Sequence, residues 1–118
     1  MNRGLRATRN RGKVKAITTL VAGITLSFAA VAQTPKFKRG EDYGSIRVKL
    51  LQQGWKPLIL PDSDECMEDD TRCQGRPEMQ WCSGSGLASC QFNWVKNGKR
   101  LSICTMGEEK ASFRSYCR

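Results

Sequence analysis

The chain contains no histidine. That absence removes Ser-His-Asp and Cys-His nucleophilic catalysis, histidine-based zinc or copper sites, and the commonest general base near neutral pH. It also lacks any Cys-x-x-Cys pair. Cys66, Cys73, Cys82, Cys90, Cys104 and Cys117 are separated by six, eight, seven, thirteen and twelve residues, which matches neither a zinc ribbon nor a thiol oxidoreductase. There is no Walker lysine and no dinucleotide fingerprint. Ser83-Gly84-Ser85-Gly86 neither follows a strand nor opens a helix, so it reads as backbone needing positive φ rather than as a phosphate cradle. The acidic run Asp62, Asp64, Glu65, Glu68, Asp69 and Asp70 lacks the glycine and spaced bidentate glutamate of an EF-hand loop. It reads as a solvated loop, with a face for a basic partner as the second reading. No catalytic residue, metal site or cofactor is assigned, and the chain has no internal repeat.

Long apolar runs are scarce as well. The single such run, Ala16 to Ala32, follows a basic opening of Arg3, Arg6, Arg9, Arg11, Lys13 and Lys15 and closes on Ala30-Val31-Ala32, a small-x-small cleavage site. Residues 1–32 are therefore expected to be a signal peptide. An uncleaved anchor is the rival reading, but the run holds Thr18, Thr19, Thr25 and Ser27 and is short for a hydrocarbon layer about 30 Å thick. No cysteine follows it directly, so a lipid-modified N-terminus is unsupported, and no stable membrane insertion is expected after cleavage. The expected location is periplasmic or secreted, where an even number of cysteines means disulfides. The formal charge of +9 belongs mostly to the targeting segment. Residues 33–118 hold 14 Lys or Arg against 11 Asp or Glu, a net +3 that gives no case for nucleic acid.

The remaining 86 residues make one domain, too small for its core alone to be comfortable, and cross-links would supply the shortfall. Residues 33–40 are polar and aperiodic, a flexible leader ahead of a domain at 41–118. A helix is predicted from Asp42, which can cap it. Tyr43, Ile46 and Leu50 recur at helical spacing with Leu51 beside them. Gly54 suits the left-handed residue that ends a helix, Trp55 would fold back on Leu50, and Pro57 forbids continuation. Leu58-Ile59-Leu60, bounded by prolines, reads as at best a short edge strand. Residues 61–90 have almost no periodic apolar signal and read as a loop region that only cross-links would hold. Gln91–Val95 and Lys99–Cys104 read as strands around an Asn97-Gly98 turn, and Ala111–Cys117 as a third. The expected fold is α+β: one N-terminal helix packed on a small antiparallel sheet of about three strands, with a disulfide-stapled loop region between.

Six cysteines allow fifteen pairings. Locality favours Cys66 with Cys73, Cys82 with Cys90, and Cys104 with Cys117 on neighbouring strands. Of three tryptophans, Trp55 and Trp94 are expected in the core. Trp81, beside Cys82 in the loop region, is the candidate exposed anchor, with Arg76 and Glu78 as further candidate binding residues. No second carboxylate can be placed beside Glu78 from sequence, so glycosidase-type chemistry is unsupported.

The combination Tyr43…Ile46-Arg47…Leu50…Gly54-Trp55-Lys56-Pro57, then Arg76-Pro77-Glu78…Cys82-Ser83-Gly84-x-Gly86…Cys90-x-Phe92-x-Trp94, resembles a group of short uncharacterised exported proteins of Gram-negative bacteria. The resemblance spans about residues 43–107. It departs at Ser85, where the group usually carries Thr, and Cys104 and Cys117 are less typical of it, which fits their pairing with each other. It implies export and a shared architecture and brings no activity. The expected function is a non-enzymatic module, inhibitor-like in build, that binds a protein or cell-envelope component. The alternative is a small secreted hydrolase or toxin using carboxylates such as Glu78 with Arg76 and an acid from 62–70. A purely structural envelope protein is the third reading.

Overall fold

In a computed structural model of the chain, residues 19–24 and 33–118 are described. The proposed signal peptide lies largely outside them. Among the described residues no helix is long and apolar enough to cross a membrane.

The helix α1 runs Tyr43–Gln52. Asp42 caps it, its carboxylate accepting from the Ser45 amide at 3.0 Å. Tyr43, Ile46 and Leu50 are fully buried, whereas Leu51, one residue further round the helix, is 45% exposed. At the far end Gly54 takes φ +87°, and the Trp55 amide returns to the Leu50 carbonyl at 2.9 Å, burying the indole.

The sheet has five antiparallel strands, not about three: β1 (Lys56–Pro57), β2 (Met79–Cys82), β3 (Cys90–Lys96), β4 (Lys99–Met106) and β5 (Ser112–Tyr116). The central hairpin β3–β4 turns on Asn97 and Gly98, both at positive φ. The extra strands share one edge of β3. β2 pairs with Cys90–Phe92, β1 pairs with Trp94 and Val95, and Asn93 between them donates its amide to the Glu78 carbonyl and accepts from the Leu58 amide. The edge strand expected at Leu58–Leu60 thus sits two residues earlier, with only Leu58 joined to the sheet. β2 lies inside the region read as loop. A bulge between Met79 and Trp81 interrupts it, which erases the alternation that would have marked it.

On one face Phe92, Trp94, Leu101, Ile103 and Phe113 meet the buried stripe of α1, with the Tyr43 and Phe92 rings stacked at 3.8 Å. Phe37 packs edge-on against Phe113 at 5.7 Å, and the Gly40 amide donates to the Phe113 carbonyl. Packing therefore begins inside the segment read as leader. Three disulfides join Cys66–Cys73, Cys82–Cys90 and Cys104–Cys117.

Candidate functional site

Arg76, Glu78 and Trp81 do not form one site. Of the three only Trp81 lies in β2, and the bulge turns Gln80 and Trp81 together onto the face opposite the helix. There the half-buried Trp81 donates its indole N–H to Gln91 at 3.1 Å, and Gln80 accepts from Asn93 at 2.6 Å. Gln91 and Ser102 also donate to the Asn93 side-chain oxygen Oδ1, so this amide cluster satisfies the buried Asn93 largely from within.

Glu78 is on the helix side and has no solvent exposure. One carboxylate oxygen accepts from the Tyr43 hydroxyl at 2.9 Å and from Arg47 Nε at 2.7 Å, while Trp94 donates its indole N–H to the Tyr43 oxygen at 3.0 Å. Burial, then the neighbouring Glu78 charge, pushes the Tyr43 phenol far above its ordinary range. The hydrogen bond to Glu78 raises Arg47. The tyrosine therefore stays neutral and donating, and the carboxylate is neutralised by a guanidinium that itself reaches water. This arrangement braces α1 to β2 and β3. It offers no carboxylate to a substrate.

Arg76 lies with its guanidinium carbon 5.0 Å from the centre of the Tyr43 ring and donates to the Arg72 carbonyl at 2.9 Å. Among the described residues it forms no ion pair. It lines an open hollow of about 470 Å³ with Ile59, Leu60, Asp64, Pro77 and the Cys66–Cys73 disulfide. A second hollow of about 280 Å³ shares Asp64, Cys73 and Met79 with the first and extends past Arg72 to Cys82 and Gly84. Glu78 lines neither. The two hollows flank the acidic loop, so the cross-linked segment between Leu58 and Pro77 borders both.

That loop is tied down from inside by a residue the sequence did not single out. Arg72 is only 7% exposed. It takes both Asp70 oxygens, at 2.8 and 2.7 Å, and donates to the Ser83 and Ala88 carbonyls at 2.8 and 3.0 Å. The Arg72 hydrogen bond holds the Asp70 carboxyl below its usual range. Asp70 is thereby removed from the acids that were free to gather around a cation. One oxygen of Asp70 and the sulfurs of Cys73 and Cys82 all lie within 4.8 Å of one another, but both sulfurs are spent in disulfides and offer no thiolate to a metal. Comparison with known protein families, curated proteins and solved structures finds no match to the chain.

Proposed function

We propose that the protein is an exported, non-enzymatic binding module that engages a protein or cell-envelope component through the cross-linked surface between Leu58 and Pro77. The observation that carries this reading is the contrast between Glu78 and its neighbours. Glu78, the carboxylate named in the hydrolase alternative, is sealed and paired with Arg47. Meanwhile Arg76, without an ion pair, and the 65%-exposed Ile59 stand in or beside an open hollow whose loop is stiffened by a disulfide and by Arg72. Exposed Glu65, Glu68 and Asp69 on the same loop favour a partner with a basic face. Stiff loops carried on a small helix-and-sheet body are the build of many inhibitors, an analogy at the level of architecture. Export is supported by the basic and apolar pattern of residues 1–32, by the resemblance to short exported proteins, and by three disulfides, which fit an oxidising compartment.

The test is capture from a periplasmic extract, comparing the protein with its Arg76→Ala and Ile59→Asp variants. Ile59 lies at the surface, whereas Arg76 is half-buried against the Tyr43 ring, so the thermal midpoint of each variant is compared with that of the parent before capture. A partner retained by the parent and lost, about tenfold or more, from both variants supports the reading. Equal retention by all three contradicts it.

A further inference from the structure

The Cys66–Cys73 and Cys82–Cys90 disulfides are not independent staples. Cys73 is 3% exposed and Cys90 is fully buried, whereas Cys66 and Cys82 are each half-buried. The Cys73 and Cys82 sulfurs, one from each bridge, lie no more than 4.8 Å apart. The two bridges therefore meet through one inner and one outer sulfur, and Cys66 is the solvent-side end of the chain of four.

We propose that Cys66 is a site of covalent thiol exchange, selective for thiols that carry positive charge, and that the neighbouring bridge relays the exchange inward. An incoming thiolate forms a bond to the Cys66 sulfur. The Cys66–Cys73 bond breaks, and its electron pair leaves on Cys73 as a thiolate. That thiolate, already held beside Cys82, forms a Cys73–Cys82 bond. The Cys82–Cys90 bond breaks in turn, and Cys90 leaves as a thiolate that takes up the proton given up by the incoming thiol. One thiol enters and one thiol, Cys90, is released. Two disulfides are present before and after, so no oxidant or reductant is consumed.

The selectivity follows from the charge around the entry point. Glu65 precedes Cys66, and Glu68, Asp69 and Asp70 follow it, with Asp62 and Asp64 just upstream. All but Asp70, which is paired with Arg72, are exposed. These five acids outnumber Arg76, the guanidinium in the same hollow, and their field repels an anionic thiol and draws in one bearing an ammonium or guanidinium group. The matching chemistry is a thiol flanked by cationic groups, either a small aminothiol or a cysteine among basic residues of another protein.

The experiment treats the oxidised protein with cysteamine, with the peptide Lys-Cys-Lys and with 3-mercaptopropionate. Reactions are quenched in acid, the protein is unfolded in denaturant so that buried thiols are alkylated with N-ethylmaleimide, and linkages are mapped by peptic digestion and mass spectrometry. The expected products carry the added thiol on Cys66, a Cys73–Cys82 link and an alkylated Cys90. Cysteamine and the peptide should react several-fold faster than 3-mercaptopropionate at low ionic strength, the difference shrinking as salt is added. Faster reaction of the peptide than of cysteamine assigns the site to protein cysteines, and the reverse order assigns it to small aminothiols. An alkylated Cys73 beside an intact Cys82–Cys90 bridge would overturn the relay. First attack at Cys104–Cys117, no reaction at all, or equal rates for the three thiols at low salt would overturn the site.

Discussion

At the scale of single residues, the deciding side chain is Glu78. Its neighbours in sequence, Pro77 and Met79, gave no hint of burial. Its partners come from α1, 31 and 35 residues earlier. Reading along a chain sees only near neighbours, so an acid held by Tyr43 and Arg47 looks the same as an acid free in a cleft. The brace has a consequence for stability. Glu78→Ala strands the Tyr43 hydroxyl and the partly buried guanidinium and should cost about 3 kcal/mol. In a domain this small that lowers the midpoint of thermal unfolding by about 12 °C or more. Glu78→Gln keeps an oxygen for Tyr43 and should cost about half as much. Calorimetry of the two variants checks the order. An unchanged midpoint for Glu78→Ala would mean that the carboxylate does not hold the fold and is available for other work.

At the scale of elements, the parts that sequence made legible are those whose signals are local. Asp42, Gly54 and Trp55 lie within one turn of the helix ends they define, and Asn97-Gly98 sits between the strands it joins. The three disulfides followed from locality too, since each closes a short stretch of chain. What stayed hidden depended on partners elsewhere. β2 is four residues long and bulged, and β1 exists only because β3 offers the edge it pairs with. Leu51 stands beside the periodic positions in sequence, but about 100° separates successive helical residues, enough to carry it past the contact with the sheet. The β4–β5 connection gives a sharp local test. Gly107 has φ +111°, and a β-carbon there would stand 2.2 Å from the Lys110 carbonyl oxygen. Gly107→Ala should therefore cost about 2 to 3 kcal/mol. Gly84→Ala, with nothing within 4 Å and no positive φ, should change stability by less than about 0.5 kcal/mol. Denaturant unfolding of the pair measures the difference directly, and equal stabilities would mean that the connection does not hold this conformation.

At the scale of the whole molecule, the domain divides into a packed body and a stapled surface. The body is α1 on the sheet, held by Tyr43, Phe92, Trp94 and the Glu78 brace. Beyond Leu58-Ile59-Leu60 the stapled surface has little buried apolar content, and it is held by Cys66–Cys73 and Arg72. The body is what a small fold needs in order to exist, and the surface adds hollows, the Arg76 guanidinium, which has no ion pair among the described residues, and a concentration of exposed acids. The proposed binding falls on this surface and not on the helix or on the outer face of the sheet. Hydrogen exchange of the protein, alone and with its captured partner bound, separates these surfaces. Slower exchange is predicted between Leu58 and Pro77, with α1 and β5 unchanged. Protection confined to α1 or to β5, with the stapled loop exchanging as before, would contradict it.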